Sequence, residues 1–360
     1  MSYARNLLPL LFEKFVEAGS YKLYLLVFQK HCDEVGYIPA SIQVIKIERE
    51  LGGAKRALWE MVTVPRLVKQ HGIDIVYTPY QLAPKLSGVK TVSMIRNMEP
   101  FLFRKYKYDA KNNLRNIVLR NRSAKTLRSS DRVIAVSEFA KNQCTSGFGI
   151  EARKIIKIYH GRDERFSPEV DVDDSAVLES FGIRSDYLFT CGSILPYRRV
   201  EYIIKAFGEW QDSNKIMLVI AGTGNDRNYA NLLGRLISES PVGKQILMTG
   251  YVSPQVMRVL YRSCKLFITT TEIEACPNMG IEALSSGCHI LSSDNQPMPE
   301  IFQSAASYFS TLDMGLLSKA LPKALEEASG VNQKALKRAA DFSWKRCADQ
   351  TFEALTNWES

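Results

Sequence analysis

The sequence predicts an α/β fold with two Rossmann-like domains facing one cleft. Short apolar runs alternate with amphipathic segments along the whole chain, as in parallel sheets whose strands are joined by helices. The chain has 360 residues, of which 46% are hydrophobic and 24% charged, so it is long enough for two separate cores. Gly161 to Pro168, followed by the acidic run 169–174, is typical of an interdomain linker. We expect domains at 1–165 and 166–340, and a C-terminal helix at 341–360 that packs back toward the first domain.

Each apolar run bounded by turn residues is a predicted strand. In the first half these are Tyr21–Phe28, Ile42–Ile47, Ile73–Thr78, Thr91–Ile95, Val133–Val136 and Ile155–Tyr159. In the second half they are Tyr187–Cys191, Ile216–Ala221, Ile246–Thr249, Leu266–Thr271 and His289–Ser292.

The N-terminal end departs from the usual order of a Rossmann-like domain, which begins with a central strand and a Gly-rich turn. Here Tyr3 to Ala18 already has the apolar spacing of the first helix. The N-terminal domain is therefore expected to lack its first strand. Either the natural protein begins upstream and supplies that strand with its turn, or this sheet is incomplete.

Two carboxylates, Glu274 and Glu282, flank a strand-to-helix connection in the second half. The strand before them is buried in character, and Ile281 to Ser286 has the pattern of a helix that Gly287 ends. In an open parallel sheet such connections form the ligand crevice, and the N–H groups at the helix start attract an anion such as a diphosphate. One carboxylate can then meet a sugar and the other a ribose.

The formal charge of +9 is concentrated in one segment, residues 104–128, which holds nine Lys or Arg residues and one Asp. Aromatic side chains lie at or just before its start: Phe101, Phe103, Tyr106 and Tyr108. This composition is typical of a surface that contacts anionic lipid, and a solvated basic helix is the alternative. Nucleic-acid binding is not expected, because no RNP, zinc-finger or helix-turn-helix pattern accompanies the charges.

Other sequence features concern location and cofactors. No apolar run reaches the roughly 18 residues of a membrane-spanning helix, and the first residues do not form a signal peptide. The seven cysteines include no Cys-x-x-Cys pair, which favours a reducing compartment and argues against structural zinc. We expect a cytoplasmic protein, peripheral at the inner face of the membrane, with no metal and no cofactor.

Several motifs follow one another in a recognisable order. They are Asp131–Glu138, Ile158–Gly161, Cys191–Glu201 with Lys205-Ala206-Phe207, Val219–Gly224, Thr249–Val252, Glu274–Glu282 and Phe342-Ser343-Trp344. This ordered set resembles the family 4 glycosyltransferases, also described as group 1, which have the GT-B fold. The resemblance covers the chain from about Asp131 to its end and is looser before that.

The resemblance implies transfer of a sugar from a nucleoside diphosphate sugar to a glycan, with retention of configuration and no metal. The acceptor would be lipid-linked or a precursor of a polysaccharide or lipopolysaccharide. Arg198 would bind the diphosphate and assist its departure, Glu274 would contact the sugar, and Glu282 would accept hydrogen bonds from the ribose. Further donor contacts are implied for Ser193, Arg199, Gly222, Gly224, Asn278, Met279 and Gly280; Ser193 stands where the family has a basic residue, which Arg199 could replace.

Acceptor-side residues are implied in the N-terminal domain. Arg96 stands where family members often carry a histidine, so the resemblance does not supply a general base there. Arg96, Asn97 and Glu99, after the predicted strand Thr91–Ile95, and His160 are the acceptor-side candidates.

Alternatives exist for single residues and for the whole chain. Arg198 could be a surface cation, Glu282 could complement a helix dipole, Gly222 and Gly224 could form only a tight turn, and His160 could be a packed histidine. The chain could be a catalytically degenerate GT-B binding or scaffold protein, because Ser193 replaces a basic residue. It could also be another GT-B enzyme, a nucleotide-sugar epimerase or a phosphorylase, although no pyridoxal-binding lysine motif is found.

Overall fold

The computed structural model describes residues 2–49, 51–105, 110–210, 212–311, 313 and 315–358. The chain divides into two compact units. Unit 1 is Met1–Gly161 with Ser343–Ser360, and unit 2 is Arg162–Phe342. The boundary at Gly161 lies at the start of the Gly- and Pro-containing segment.

Unit 1 begins with a helix and has two parallel sheets among its described residues. One sheet pairs β1 with β2, and the other has the order β3-β4-β5-β6. The last helix of the chain, α14, packs along α1 within this unit. The elements of unit 1 are α1 (Ser2–Ala18), β1 (Tyr24–Phe28), β2 (Gln43–Ile47), α2 (Gly53–His71), β3 (Ile75–Thr78), β4 (Lys90–Ile95), α3 (Glu99–Leu102), α4 (Ala110–Ser129), β5 (Arg132–Ala135), α5 (Glu138–Phe148), β6 (Ile155–Lys157) and α14 (Trp344–Thr356).

Unit 2 is built on a six-stranded parallel sheet in the described part of the chain, with the order β12-β11-β10-β7-β8-β9. The chain runs outward from β7 through β8 and β9, returns to the other side of β7 at β10, and continues through β11 to β12. Its elements are α6 (Asp174–Ser180), β7 (Tyr187–Cys191), α7 (Val200–Glu209), β8 (Met217–Ala221), α8 (Arg227–Glu239), β9 (Ile246–Gly250), α9 (Pro254–Arg262), β10 (Leu266–Thr269), α10 (Asn278–Ser285), β11 (Ile290–Ser293), α11 (Met298–Phe302), β12 (Ala306–Phe309), α12 (Gly315–Glu326) and α13 (Gln333–Ala339).

The central strands of unit 2 are buried along their whole length. Every residue of β7, β10 and β11 is buried, because helices cover both faces of the sheet, so these strands read as continuous apolar runs. Helix α7 contributes Ile203, Ile204 and Phe207 to the core on one face. The α/β class with parallel sheets, predicted from the same runs, is confirmed.

All eleven predicted strands are present, with ends that coincide or shift by at most three residues. The strand β12 was not predicted, because Ala306–Phe309 is short and only partly buried. Helix α10 begins at Asn278 rather than Ile281, so the prediction of its start is wrong. The apolar periodicity begins at Ile281, but the first turn of this helix is formed by Asn278, Met279 and Gly280, which do not contribute to it. Glu282 therefore lies in the second turn of α10.

Candidate functional site

The order of strands in unit 2 reverses between β7 and β10. These strands are direct neighbours, with Leu188 opposite Leu266 and Phe189 opposite Phe267. The connections that leave their carboxyl ends therefore diverge, one toward α7 and the other toward α10. In open parallel sheets a ligand crevice forms at this switch point. Of the residues predicted to bind a donor, Ser193, Arg198, Arg199 and Glu274 lie on these two connections, and Asn278, Met279, Gly280 and Glu282 follow in α10. Gly222 and Gly224 lie on the connection after β8.

The connection after β7 is fastened to the end of β10. The Thr270 hydroxyl donates to the carbonyl oxygens of Arg198 and Arg199, at 2.6 and 3.1 Å. The Glu272 N–H donates to the Tyr197 carbonyl at 2.9 Å. These bonds hold the short 3-10 turn Pro196–Arg198 against the second connection. The turn thereby brings Arg198 to Glu274.

Arg198 and Glu274 form an ion pair between Nη1 and Oε1. Both side chains are only 15% exposed, so the pair is poorly screened by water. Burial lowers the pKa of Arg198, but the carboxylate of Glu274 outweighs it and the pKa lies above its ordinary value. Arg198 Nε is buried and has no hydrogen-bond partner in the residues that the structure describes. The guanidinium thus has a donor left for an incoming acceptor.

The two other predicted donor contacts on the β7 connection lie in different surroundings. Ser193 is exposed and lines a small cavity with Arg198, Thr269 and Met279. The guanidinium of Arg199 instead pairs with Glu272 at 2.8 Å and with Glu201 at 3.5 Å. These carboxylates neutralise its charge within unit 2. Replacement of the missing basic residue by Arg199 stays a prediction, and its ion pairs favour a structural role.

Gly222 and Gly224 lie where the β8 connection meets the β7 connection. A Cβ atom on Gly222 would stand 1.8 Å from the Gly192 oxygen, and one on Gly224 would stand 1.9 Å from the Ile194 oxygen. The Gly222 N–H donates to the Gly250 carbonyl, at 2.8 Å. Both glycines are therefore required by close backbone packing, and a contact of either with a donor stays a prediction.

The first turn of α10 carries the three predicted contacts after Glu274. The Met279 side chain reaches across to the β7 connection, where its Sδ accepts a weak bond from Arg198 Nη1 at 3.5 Å. The Gly280 N–H donates to the Pro277 carbonyl at 3.0 Å, and a Cβ there would lie 2.5 Å from the Phe302 ring. Asn278 is the first residue of the helix, half-buried. This turn is the N-terminal end of α10, and the partial positive charge of a helix N-terminus attracts anions.

Glu282 is the second carboxylate of the motif, and its partner is a phenol. The Tyr261 hydroxyl, on α9, lies 3.3 Å from Glu282 Oε2 and 3.0 Å from the Met279 carbonyl oxygen, and it can donate its proton to either. Burial raises the pKa of Glu282 to about 7, the Tyr261 hydrogen bond lowers it, and the charge of Asp163 raises it. Sequence reasoning missed Tyr261, because nothing in the pattern of α9 relates it to a helix 20 residues later.

The acceptor-side candidates of unit 1 follow β4. One buried side chain, Gln81, holds this loop: it accepts from the N–H groups of Arg96 and Asn97, at 3.3 and 3.2 Å, and donates to the Asn97 carbonyl at 2.6 Å. Arg96 lies over the Tyr3 ring, and Glu99 pairs with Arg115 at 3.5 Å. The structure thus brings these three candidates together, and Gln81 is a loop-positioning residue that sequence reasoning missed.

His160 shares one neighbour with Arg96, because both contact the Tyr3 ring. It is 3% exposed and packs between the rings of Tyr3 and Trp344, at 5.0 and 5.9 Å between centroids. All three residues belong to unit 1. This arrangement favours the packed-histidine alternative, and an acceptor contact by His160 stays a prediction.

The basic segment is helical from Ala110 to Ser129, as α4. Phe103 is only 4% exposed, so its predicted place in an interfacial surface is wrong. Phe101 is half-buried, with its ring 4.5 Å from that of Phe148, and its contact with a membrane stays a prediction. Phe101 lies in α3, and Phe103 begins the 3-10 turn that follows it. Tyr106, Lys107 and Tyr108 lie outside the described residues. Helix α4 instead exposes Leu114, Ile117 and Val118 beside its cations.

No helix in the described ranges has both the length and the apolar character to cross a membrane.

Comparisons with known proteins cover both units. A model described as "Glycosyltransferase Family 4" matches residues 31–166, and one described as "Glycosyl transferases group 1" matches residues 179–340. The serotype-specific mannosyltransferase WbdA of Escherichia coli is 23% identical over 277 residues, which is 74% of this chain and 33% of that protein. This chain thus spans about a third of the length of that relative.

Solved structures match nearly the whole chain. WaaG, a glycosyltransferase involved in lipopolysaccharide biosynthesis, superimposes with a TM-score of 0.73 and 13% identity, over 97% of this chain and 95% of that one. Anabaena HepE in complex with UDP-glucose gives 0.72 and 14% identity, over 98% and 96%. At these identities the likeness concerns the fold, which is GT-B. The two family models together match most of the chain and show that it belongs to the group 1, family 4 glycosyltransferases.

Proposed function

We propose that this protein transfers a sugar from a nucleoside diphosphate sugar to a glycan acceptor. The observation that carries the proposal is the Arg198–Glu274 pair at the switch point of unit 2. A guanidinium with a buried, unpartnered Nε suits a diphosphate, and the adjacent carboxylate suits sugar hydroxyls. Glu282, about one turn along the next helix, provides a carboxylate for the ribose.

The proposed chemistry relies on charge stabilisation at the leaving group. As the bond from the sugar to the diphosphate breaks, negative charge grows on the phosphate oxygen. Arg198 donates to that oxygen, and the first turn of α10 presents N–H groups of the same polarity. This positive charge supports a reaction that needs no metal, with retention of configuration as in the family that the chain resembles.

The acceptor in our proposal is a lipid-linked or polysaccharide-precursor glycan. WbdA is named as a serotype-specific mannosyltransferase, and WaaG is described as acting in lipopolysaccharide biosynthesis. HepE was solved with UDP-glucose, which supports a nucleotide sugar as the donor. These likenesses support the class of reaction and leave the base, the sugar and the linkage to experiment.

The proposal is tested by a thermal-shift panel of nucleotides and nucleotide sugars, followed by product analysis with and without a glycan acceptor. We expect a shift with one class of nucleotide sugar, and a new glycoside whose anomeric configuration by NMR matches that of the donor. EDTA should leave the rate unchanged. Binding without transfer or hydrolysis would instead point to the degenerate binding protein, and an epimerised donor without acceptor would point to an epimerase.

We also propose that α4 docks unit 1 on an anionic membrane surface, where a lipid-linked acceptor is found. Its exposed Leu114, Ile117 and Val118 lie at helical spacing beside exposed cations, which is the composition of an interfacial helix. Each Lys or Arg near such a surface contributes about 1 kcal/mol. A solvated basic helix remains the competing interpretation.

Vesicle binding separates these two interpretations. Reversing Lys111, Arg122 and Lys125 to Glu should abolish binding to phosphatidylglycerol vesicles, while donor binding in unit 2 stays unchanged. The matched control reverses three exposed lysines of unit 2, Lys323, Lys334 and Lys337, and should bind as wild type. Equal binding by the α4 variant and the control would mean that α4 is only solvated.

A further inference from the structure

Tyr261 occupies the centre of unit 2, directly beneath the predicted nucleotide site. It lies in the last turn of α9, and none of its side chain is exposed. Three phenylalanine rings fix its ring: Phe166, Phe189 and Phe267 lie with centroids 5.7, 5.1 and 5.4 Å away. The position of its hydroxyl is therefore set by the core and not by solvent.

The Tyr261 hydroxyl joins three parts of the site. Its oxygen lies 2.9 Å from Cys191 Sγ at the end of β7, 3.0 Å from the Met279 carbonyl and 3.3 Å from Glu282 Oε2. A phenol has one proton to donate and lone pairs to accept. It can therefore accept from the Cys191 thiol while it donates to either oxygen on α10. The Met279 carbonyl and the Glu282 carboxylate therefore compete for the one proton of the Tyr261 hydroxyl.

Glu282 has no cation to balance it in the part of the chain that the structure describes. The groups that influence its ionisation are Tyr261 from α9 and Asp163 from the segment before α6. Cys191 from β7 also faces it electrostatically. Of these, Tyr261 is the group that stabilises the carboxylate form, because the thiol of Cys191 is neutral and Asp163 is negative. The phenol thus opposes the cost of burying this charge.

We propose that Tyr261 is a positioning residue for the nucleotide site: its phenol holds the Glu282 carboxylate and the first turn of α10 in one arrangement. The inference rests on the proposed function only in assigning Glu282 to a nucleotide. One hydroxyl links the ribose-side carboxylate to Met279, whose sulfur contacts Arg198 on the phosphate side. Both ends of a bound nucleotide would depend on it.

The test compares Tyr261→Phe with Tyr187→Phe. Tyr187 is also fully buried, and its hydroxyl donates to the Leu260 carbonyl at 2.9 Å, at the same end of α9. Each change removes one buried phenol oxygen and keeps the ring. Only Tyr261→Phe removes a hydrogen bond to Glu282, so the control accounts for general loosening of this helix.

The first readout needs no nucleotide. The Glu282 carboxyl is followed by 13C NMR across pH, with its signal assigned by its loss in Glu282→Gln. Because the phenol favours the carboxylate form, Tyr261→Phe should move the midpoint to higher pH, and Tyr187→Phe should leave it in place. Fluorotyrosine at position 261 is a stronger donor and should move the midpoint to lower pH, a second test if the phenylalanine variant folds poorly. An unmoved midpoint in both would overturn the inference.

The second readout is the affinity for the nucleotide that gives the largest thermal shift. At neutral pH, Tyr261→Phe should weaken it about tenfold, and Tyr187→Phe should not. Adding Tyr261→Phe to Glu282→Gln should cost less affinity than Tyr261→Phe costs in wild type, because the part of its effect that acts through the Glu282 carboxylate is already lost. Independent, additive losses would contradict the positioning role. If wild type binds no nucleotide, the proposed function fails, while the NMR result still decides the role of Tyr261.

Discussion

The two carboxylates of the Glu274–Glu282 motif have opposite surroundings. Glu274 lies on a connection between strand and helix and pairs with Arg198, so its charge is compensated. Glu282 lies on α10 and contacts the neutral phenol of Tyr261, and its pKa rises to about 7. The same residue type thus pairs with a cation at one end of the motif and, among the described residues, has a neutral phenol as its partner at the other. In this motif the environment, more than the residue, assigns the chemistry.

The largest expected effect comes from removing Arg198, the cation that pairs with Glu274. Arg198→Ala leaves the Glu274 carboxylate without its cation and should lower the free energy of unfolding by about 3 kcal/mol, the lower end for a buried pair. The loss of a charge-assisted hydrogen bond should also weaken nucleotide-sugar binding by about 1.5 to 3 kcal/mol. Denaturant unfolding and calorimetry measure the two losses.

A double variant separates these two losses. Arg198→Met with Glu274→Gln removes both charges, so most of the stability should return while donor affinity stays low. Arg235→Ala, at an exposed position on α8, is the control for removing a cation and should match wild type in both measurements. Wild-type donor affinity in Arg198→Ala would remove the basis of the proposed function.

The second effect concerns Glu282, at the other end of the motif. Glu282→Ala should weaken nucleotide binding by about 1.5 to 3 kcal/mol, because the ribose loses its charged acceptor. Unlike Arg198→Ala, it should not destabilise the fold, since it removes a buried carboxylate with no partner cation. The exposed Glu239→Ala on α8 serves as the control. Equal destabilisation by Glu282→Ala and Arg198→Ala would mean that Glu282 stabilises the fold as much as the Arg198–Glu274 ion pair does.

The sequence predicts Glu274 and Glu282 as site residues, but it does not predict that their surroundings differ. Apolar runs bounded by turn residues predict where β7, β10 and the connections after them lie, because buried parallel strands are continuous apolar runs. The partners Tyr261, Gln81 and Glu272 come from other elements, and only the folded chain brings them into contact. For the same reason Arg199 is predicted as a donor cation but pairs with Glu272. Local pattern predicts where polar groups gather, while their charges depend on tertiary neighbours.

The third effect is a pH dependence of the free energy of unfolding that comes from Glu282. Burial raises the pKa of Glu282 from its ordinary value of 4.5 to about 7. Between these values the folded state binds more protons than the unfolded state, so this group's stabilising contribution is lost as pH rises. Wild type should lose stability relative to Glu282→Gln between about pH 4.5 and 7, by about 1.4 kcal/mol for each unit of the pKa difference. Thermal unfolding of both proteins across pH checks this. A constant difference between them would show that Glu282 is ionised throughout.

The smallest expected effect concerns the backbone conformation of Arg199, the residue after the Glu274 partner Arg198. Arg199 has φ 54° and ψ 38°, in the left-handed region, where a side chain costs about 1 kcal/mol and glycine almost nothing. Its ion pairs with Glu272 and Glu201 and the two hydrogen bonds from Thr270 hold the residue there. Both Arg199→Gly and Arg199→Ala lose the ion pairs, but the glycine variant adopts the left-handed turn without strain and the alanine variant keeps the strain.

Arg199→Ala should therefore unfold more easily than Arg199→Gly, by about 1 kcal/mol, and should bind nucleotide sugar more weakly, because the turn that presents Arg198 relaxes. Neither variant should move the midpoint of Glu282, since the ion pairs of Arg199 lie on the connections that hold Arg198 and Glu274. Denaturant titration, calorimetry and the carboxyl NMR signal measure these three quantities. A glycine variant that is less stable than the alanine variant would show that the left-handed conformation is not a source of strain in this turn. A displaced Glu282 midpoint would show that the two ends of the motif communicate through the first turn of α10.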